Sequence, residues 1–415
     1  MCQYGHNSER VLCTRHPPAL KAEKSVILMI RSVLRSSFLY IYLARAVFFM
    51  IKLMGRNALP RGRFFDVMRT IEWDFEKECV RMIDQRVLPR RFEVLHIHHL
   101  DNMVEAIRDM AIRGAPALAV AAAFGIALAL QGQKKDVRNL AKKAGQTLIE
   151  ARPTAVNLGW GVHRVLKVVN DPGIAEDEIP ERVLQEAMEM AEEDVRVNRK
   201  LSENGASLIE DGDTIIHHCN TGSLAVVDWG TALGAIRFAH EQGKRVHVLV
   251  DETRPRLQGA RLTAWECEQY GIPYEIITDN AAGYFLRSGK VNKVFFGADR
   301  VAANGDVANK VGSYMLSLAA HANGVPVYSV FPLSTLDLTI PTGDLIPIEE
   351  RDGGEVLDLE YKGEAVAPLG AKARNPAFDV TPHELLTALV TEAGIIRPPF
   401  EQKLAACVYN SHLDG

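Results

Sequence analysis

Four short stretches bring together residue types that can move protons and hold anions. The run "TIIHHCNTGSLA" (214–225) climbs through β-branched residues to Cys219, then breaks at Asn220, Thr221 and Gly222. A cysteine at such a break is either a reactive thiol at the mouth of a site or one more buried cysteine at a strand end. "GADR" (297–300) repeats the pattern with a carboxyl, Asp299, just beyond the apolar run "KVFF". A thiol and a carboxyl sharing one crevice are both groups able to give or take a proton. "IRGAPAL" (112–118) offers Arg113 with Gly114 and Ala115 at a helix start, either a cradle for a phosphate or a plain helix–helix corner. "NGDVANKVGSYMLSLAAHANG" (304–324) sets Asn309 and Lys310 at the expected beginning of another helix, again suited to an anion.

Those residues need a scaffold that gathers them. In the second half, strand-like runs recur at "DTIIHHC" (213–219), "RVHVLVD" (245–251), "YEIIT" (274–278), "KVFFG" (293–297) and "VPVYSVF" (325–331), with amphipathic helical stretches between them. Strands alternating with helices imply an α/β, Rossmann-like, doubly wound parallel sheet whose carboxyl ends share one edge. Ligands bind outside those ends, which selects Cys219 to Gly222, Asp251 to Arg254, Thr278 to Asn280 and Gly297 to Arg300. "DVTPHELLTALVTEAGII" (379–396) reads as a closing helix with Thr381 as N-cap, Pro382 first and Glu384 completing a capping box. The first half is different. Residues 68–100 read as a few short strands, and 101–130 as two helices, the first ending near Gly114 and the second opening at Pro116. Further helical periodicity covers 136–150 and 180–206. The expected organisation is a mainly helical domain with a small sheet over 68–205, the Rossmann-like domain over 206–400 and a tail over 401–415.

Bulk properties narrow the function classes. The 415 residues are 47% hydrophobic, enough for two cores, and the net charge of −4 argues against a general nucleic-acid binder. The charge is unevenly spread: residues 1–67 carry 11 Lys/Arg against 3 Asp/Glu. Within that leader the apolar stretch 25–55 is interrupted by Arg31, Arg35, Arg45 and Lys52, costly in a bilayer. The leader reads as a surface helix, a targeting peptide, or an upstream extension ahead of a true start at Met68, and lies outside the expected fold. The six cysteines form no C-x-x-C pair, which suits a reducing, cytoplasmic setting. His96, His98 and His99 have no carboxylate or Cys partner at ligand spacing and read as solvent-facing. No Walker loop and no G-x-G-x-x-G follows a predicted strand. The residues therefore describe an enzyme needing neither metal nor cofactor, acting on a small phosphorylated substrate.

At these residues the chain resembles the methylthioribose-1-phosphate isomerase family, the aldose–ketose isomerases of methionine salvage. The resemblance rests on "MRTIEW", "AIRGAPAL", "RPTAVNLGWGV", "HHCNTGSLA", "VDETRPRLQGARLTAWE", "GADRVAANGDVANKVGSY", "IPIEER", "NPAFDVTP" and "GIIRPP", across roughly residues 68–400. It implies Cys219 and Asp299 as catalytic residues. It implies Arg113, Gly114, Ala115, Arg152, Gln258, Asn309 and Lys310 as substrate contacts; Arg152 and Gln258 come from the resemblance alone. The family reading also implies a homodimer. The leader departs from the pattern, as does Ser223, where the family commonly has Ala.

The implied reaction converts 5-methylthioribose 1-phosphate to 5-methylthioribulose 1-phosphate. Alternatives on the same fold are isomerases of ribose 1,5-bisphosphate or 5-deoxyribose 1-phosphate. A non-catalytic regulatory subunit of the translation-initiation exchange factor is the alternative of another class. If Met68 is the true start, a chain beginning there should match the full chain in activity and unfolding midpoint. A large loss on removing residues 1–67 would place the leader in the fold.

Overall fold

The computed structural model describes residues 69–153 and 155–411, so the basic leader lies outside the described residues. The first strands are β1 (Ile71–Asp74), β2 (Cys79–Ile83) and β3 (Val94–Ile97), an antiparallel sheet in that order. His96 is exposed on β3, while His98 and His99 lie just beyond it, also exposed.

Five helices follow: α1 (Leu100–Arg108), α2 (Ala115–Leu130), α3 (Val137–Ala151), α4 (Val156–Asn170) and α5 (Ile179–Ala206). The all-apolar "APALAVAAAFGIALAL" of α2 is buried nearly throughout, because the other helices and the small sheet surround it. The helix α4 had no counterpart in the sequence reading; its glycines and β-branched residues weaken intrinsic propensity, and packing on α2 and α3 supplies the stability instead. The first helix ends earlier than expected, at Asp109, followed by Met110 at φ +58°. Gly114 caps the start of α2, not the end of α1.

The helix α5 runs 28 residues, about 42 Å at the usual rise. Its first half packs into the helical core and its last turns pack beneath the large sheet. That sheet contains β4 (Thr214–His217), β5 (His247–Asp251), β6 (Tyr274–Ile277), β7 (Lys293–Phe296), β10 (Val327–Val330), β15 (Ala388–Thr391) and β16 (Gly394–Ile396). Their order is β16-β15-β10-β7-β4-β5-β6, parallel except for β16. Side chains alternate between two cores. Ile215, Val248, Phe295, Val330 and Val390 face α5, α6 (Ala232–Glu241) and α7 (Ala264–Tyr270). Ile216, Leu249, Phe296, Val327 and Leu389 face α8 (Ala282–Arg287), α9 (Ser313–Ala322) and α11 (Glu401–Ser411). The sheet is thus wound on both faces. Residues taken as a tail form α11, with Leu404 buried in the second of these cores.

Between β7 and β10 the chain makes β8 (Arg300–Ala302) and β9 (Val307–Lys310), which join β11 (Leu336–Asp337) and β14 (Phe378–Thr381) in a smaller sheet ordered β11-β8-β9-β14. A short helix, α10 (Gly354–Leu357), and the hairpin of β12 (Glu360–Tyr361) and β13 (Glu364–Ala365) complete the fold.

The closing helix expected over 379–396 is not formed. That stretch gives β14, one 3₁₀ turn at His383–Leu385, then β15 and β16. A strand covered on both faces is apolar at every position, so its pattern cannot be told from a short buried helix. Leu389→Ala tests the difference. Leu389 is fully buried in an inner strand, so its truncation should cost about 2–5 kcal/mol in urea unfolding, against under about 1 for a peripheral site.

Candidate active site

The strand order reverses between β4 and β7. From β4 the chain winds outward through β5 and β6, then returns to place β7 on the other side of β4. A crevice opens at such a switch point, outside the carboxyl ends of the two strands. Cys219 lies two residues past β4 and Asp299 three past β7, so both reach that crevice.

Cys219 sits at φ +67°, a left-handed conformation that costs a non-glycine residue about 1–3 kcal/mol. Two threonines hold it: its N–H donates to Thr253 Oγ1 at 2.9 Å and its carbonyl accepts from Thr263 Oγ1 at 2.7 Å. Thr253 is itself left-handed, at φ +59°. Its N–H donates to Asp279 Oδ1 at 2.6 Å, and the N–H of Arg254 donates to Asp279 Oδ2 at 2.8 Å. The strand-end residues Asp251 to Arg254 and Asp279 therefore support Cys219 from behind. The following Asn220 is gripped from the π-helical turn Gly259–Thr263 and α7: its Nδ2 donates to Thr263 Oγ1 and to Glu266 Oε1 at 2.8 Å. On its other side Arg113 donates from Nη1 to the Asn220 carbonyl at 2.9 Å and from Nη2 to Asn220 Oδ1.

Gly114 at φ +99° brings the start of α2 against this loop. A Cβ there would lie 2.0 Å from the Ala225 carbonyl oxygen. Asn309 and Lys310 come from β9, not from a helix start; α9 begins three residues later at Ser313. Alternation along β9 hides each side chain in turn, and four of four residues are buried, which made the segment resemble a helix approach. Lys310 Nζ donates to the Ala377 carbonyl at 2.7 Å and lies 4.5 Å from the Phe378 ring centre.

One cavity of about 370 Å³ is lined by Cys219, Asp299, Arg113, Gly114, Ala115, Arg152, Gln258, Asn309 and Lys310 together. That volume suits a single small molecule. Sequence reasoning missed further lining residues: Met110, Asn157, Glu349 and Arg351. Glu349 and Arg351 lie in "IPIEER", a motif that drew notice without a role. Arg351 is set by Glu355, which also accepts from Arg256 Nη1 at 2.9 Å.

Burial and charge oppose each other throughout the cavity. Burial pushes Asp299 above the usual carboxylate range, against the pull of Lys310, Arg152 and Arg113. Burial likewise raises the Cys219 thiol, against Lys310 and Arg113. It lowers Lys310, against Asp299 and Cys219. No helix start directly follows Cys219 to favour a thiolate: Ser223–Ala225 is one 3₁₀ turn and α6 begins only at Ala232. The Nε of Arg113 and Oε1 of Gln258 are buried with no hydrogen-bond partner, so polar groups at the cavity are left for a ligand.

The chain matches the initiation factor 2 subunit family over residues 111–398. It belongs to that family. Within it, the chain is 49% identical to a methylthioribose-1-phosphate isomerase of Synechococcus over 80% of this chain and 96% of the relative. It is 48% identical to that of Thermotoga maritima over 81% and 97%. Among solved structures it resembles 5-methylthioribose 1-phosphate isomerase from Pyrococcus horikoshii, at TM-score 0.77 and 41% identity, covering 83% of this chain and 96% of that one. A protein described as translation initiation factor eIF-2B, subunit delta, from A. fulgidus has TM-score 0.74 and 43% identity, with 82% and 99% covered.

The fit at Gly114 is testable against Gly132, which also has positive φ, +73°, but open space around its Cβ direction. Gly132→Ala should cost about 1 kcal/mol, from backbone strain alone. Gly114→Ala should cost clearly more in chemical denaturation, because it adds a collision with Ala225.

Proposed function

We propose that this cavity isomerises 5-methylthioribose 1-phosphate to 5-methylthioribulose 1-phosphate. The observation that carries the reading is the meeting of a raised carboxyl, a thiol and buried cations around one small cavity, in a chain about half identical to isomerases of that name.

The phosphate ester on the anomeric carbon prevents ordinary opening to a free aldehyde. Arg113, Arg152 and Lys310 hold the phosphate, with binding energy remote from the reacting carbons. Asp299, pushed by burial toward its protonated form, donates its proton to the ring oxygen as the bond from C1 to that oxygen breaks. Hydrogen moves from C2 to C1 with its electron pair, and the C2 hydroxyl returns a proton to Asp299, leaving the ketone. Burial keeps Cys219 a thiol in the empty site, which favours this direct transfer, with Cys219 supporting charge at C1. In the competing route a Cys219 thiolate lifts the C2 proton and returns it to C1.

Met110, Ile346 and Ile348 give the cavity an apolar side that suits a methylthio group better than the second phosphate of ribose 1,5-bisphosphate. The likeness to an initiation-factor subunit keeps a binding-only reading in view; the acid and thiol at the cavity speak for chemistry. We further propose a cytoplasmic homodimer. None of the described helices is long and apolar enough to cross a membrane, and Tyr284 on α8 and Met315 on α9 expose apolar surface for a second copy.

Incubation with methylthioribose 1-phosphate, read by NMR, should show the ketose. In deuterium oxide the direct route leaves C1 free of solvent deuterium, whereas incorporation would show the proton route. Cys219→Ser and Asp299→Asn should each lower kcat by about two to four orders of magnitude, while Arg113→Ala and Lys310→Ala chiefly raise KM. Asp299 holds its proton below its raised pKa and loses it above, so kcat should fall as pH rises through that value. Wild-type turnover in Cys219→Ser would reduce the thiol to packing.

A further inference from the structure

The residue before Cys219 is a histidine that the reaction above does not use. His218 is fully buried, and both of its ring nitrogens are engaged by other elements. Nδ1 lies 2.8 Å from Asp251 Oδ2, at the end of β5. Nε2 lies 3.1 Å from the carbonyl oxygen of Val311, in the turn between β9 and α9. The ring thus spans three chain segments: the Cys219 loop that carries it, the neighbouring strand of the large sheet, and the turn immediately after Lys310.

The two contacts place one hydrogen on Nε2 and one proton between Nδ1 and Asp251. A backbone carbonyl only accepts, so Nε2 must carry hydrogen to bond Val311. A carboxylate also only accepts, so Nδ1 must carry hydrogen to bond an ionised Asp251. A neutral imidazole with its one hydrogen on Nε2 keeps both contacts only where Asp251 carries the other proton and donates it to Nδ1. Burial by itself would strip the extra proton, but the Asp251 hydrogen bond and charge, with Asp279 beyond it, outweigh burial and hold His218 above its ordinary pKa. Asp379, on β14, faces the ring from the other side with its carboxyl raised by burial, and His217, the last residue of β4, is pushed by burial to about 3. Burial raises the Asp251 carboxyl, and the hydrogen bond and charge of His218 pull it back toward the ionised form.

The fit around the ring is close. Gly312, at φ +107°, packs on it so tightly that a Cβ would lie 2.8 Å from Cε1. The Gly312 N–H donates to Asp379 Oδ2 at 2.7 Å, so the turn that receives the histidine is itself tied to the small sheet.

We propose that His218 is a positioning residue: as a doubly protonated ring anchored on Asp251, it fixes the Lys310–Gly312 turn relative to the Cys219 loop. The large sheet supplies Cys219 and the small sheet supplies Asn309 and Lys310, and the bond from His218 to Val311 links the segments that follow Lys310 and precede Cys219. Its loss lets the cation drift relative to the thiol and acid, and a displacement of about 1 Å at a reacting geometry can cost about a hundredfold in rate.

The two ring contacts can be separated by amide replacements. In His218→Gln the side-chain amide nitrogen occupies the place of Nε2 and keeps the bond to Val311. In His218→Asn it occupies the place of Nδ1 and keeps only the bond to Asp251. The proposal rests on the isomerase reading of the cavity, so kcat and KM are measured with methylthioribose 1-phosphate. His218→Asn should lower kcat about ten- to a hundredfold, and His218→Gln should stay within about fivefold of wild type, although the buried Asp251 left without its partner lowers the unfolding midpoint of that variant. Equal losses in the two variants, or losses that track their unfolding midpoints, would overturn it. A measurement on the unaltered protein stands beside this: ¹⁵N NMR of histidine-labelled full chain at pH 7, assigned by the signal missing from either variant. Both His218 nitrogens should carry protons, and a ring with one bare nitrogen would overturn the assignment. No turnover by the wild type would count against the isomerase reading alone, because the NMR result requires no substrate.

Discussion

Cys219 is held in a backbone conformation it would not choose, and much of the surrounding structure is the means of holding it. The left-handed turn costs about 1–3 kcal/mol. Two threonine hydroxyls bonded to its N–H and carbonyl offset this, at roughly 1 kcal/mol each. Those threonines come from the segment after β5, where Thr253 is strained in its turn and held by Asp279. The strain is handed from loop to loop until it reaches the parallel ladder of β4, β5 and β6, which does not yield. A left-handed residue at the strand end turns the chain away at once, so the peptide of Asn220 meets Arg113 while Cys219 remains at the cavity.

The same economy explains the two sheets. A doubly wound sheet opens a crevice at its switch point, but the crevice is lined by strand ends of only one sheet. Here the chain leaving β7 builds β8 and β9 before it returns as β10, and the small sheet carries Asn309 and Lys310 to the far side. The helical half closes a third side with Arg113 and Arg152, each at the end of a helix already buried for packing reasons. Each wall is fixed by its own core, and side-chain bonds across the cavity set their spacing.

What the amino acids disclosed follows from where information is local. The parallel strands were legible because "DTIIHH", "HVLVD" and "KVFF" are short β-branched or aromatic runs between turn residues, and their carboxyl ends named Cys219 and Asp299 directly. Arg113 was legible from the helix start beside it. Asn309 and Lys310 were picked as candidate anion contacts and do line the cavity, but were put on the wrong element, because the four-residue β9 ends only three residues before α9 begins. The strand β15 was lost to a helix for the same reason, since burial on both faces erases the alternation. Glu349 and Arg351 reach the cavity from a loop whose course is set by long-range bonds such as Arg254 to Val356, and no local pattern records those.

The electrostatics of the cavity tie substrate binding to chemistry. One desolvated space raises Asp299 and Cys219 and lowers Lys310, so each group is pushed toward its neutral form while the opposite charges resist. In the proposed reaction a phosphate entering this space brings negative charge close to Arg113 and Lys310. It favours the charged form of the lysine and, by repulsion, disfavours ionisation of Asp299. The anion that anchors the substrate therefore also keeps the acid loaded with the proton it has to donate. In the proposed reaction, phosphate binding and ring opening are linked steps, since the contact that gives affinity also sets the protonation state on which the rate depends.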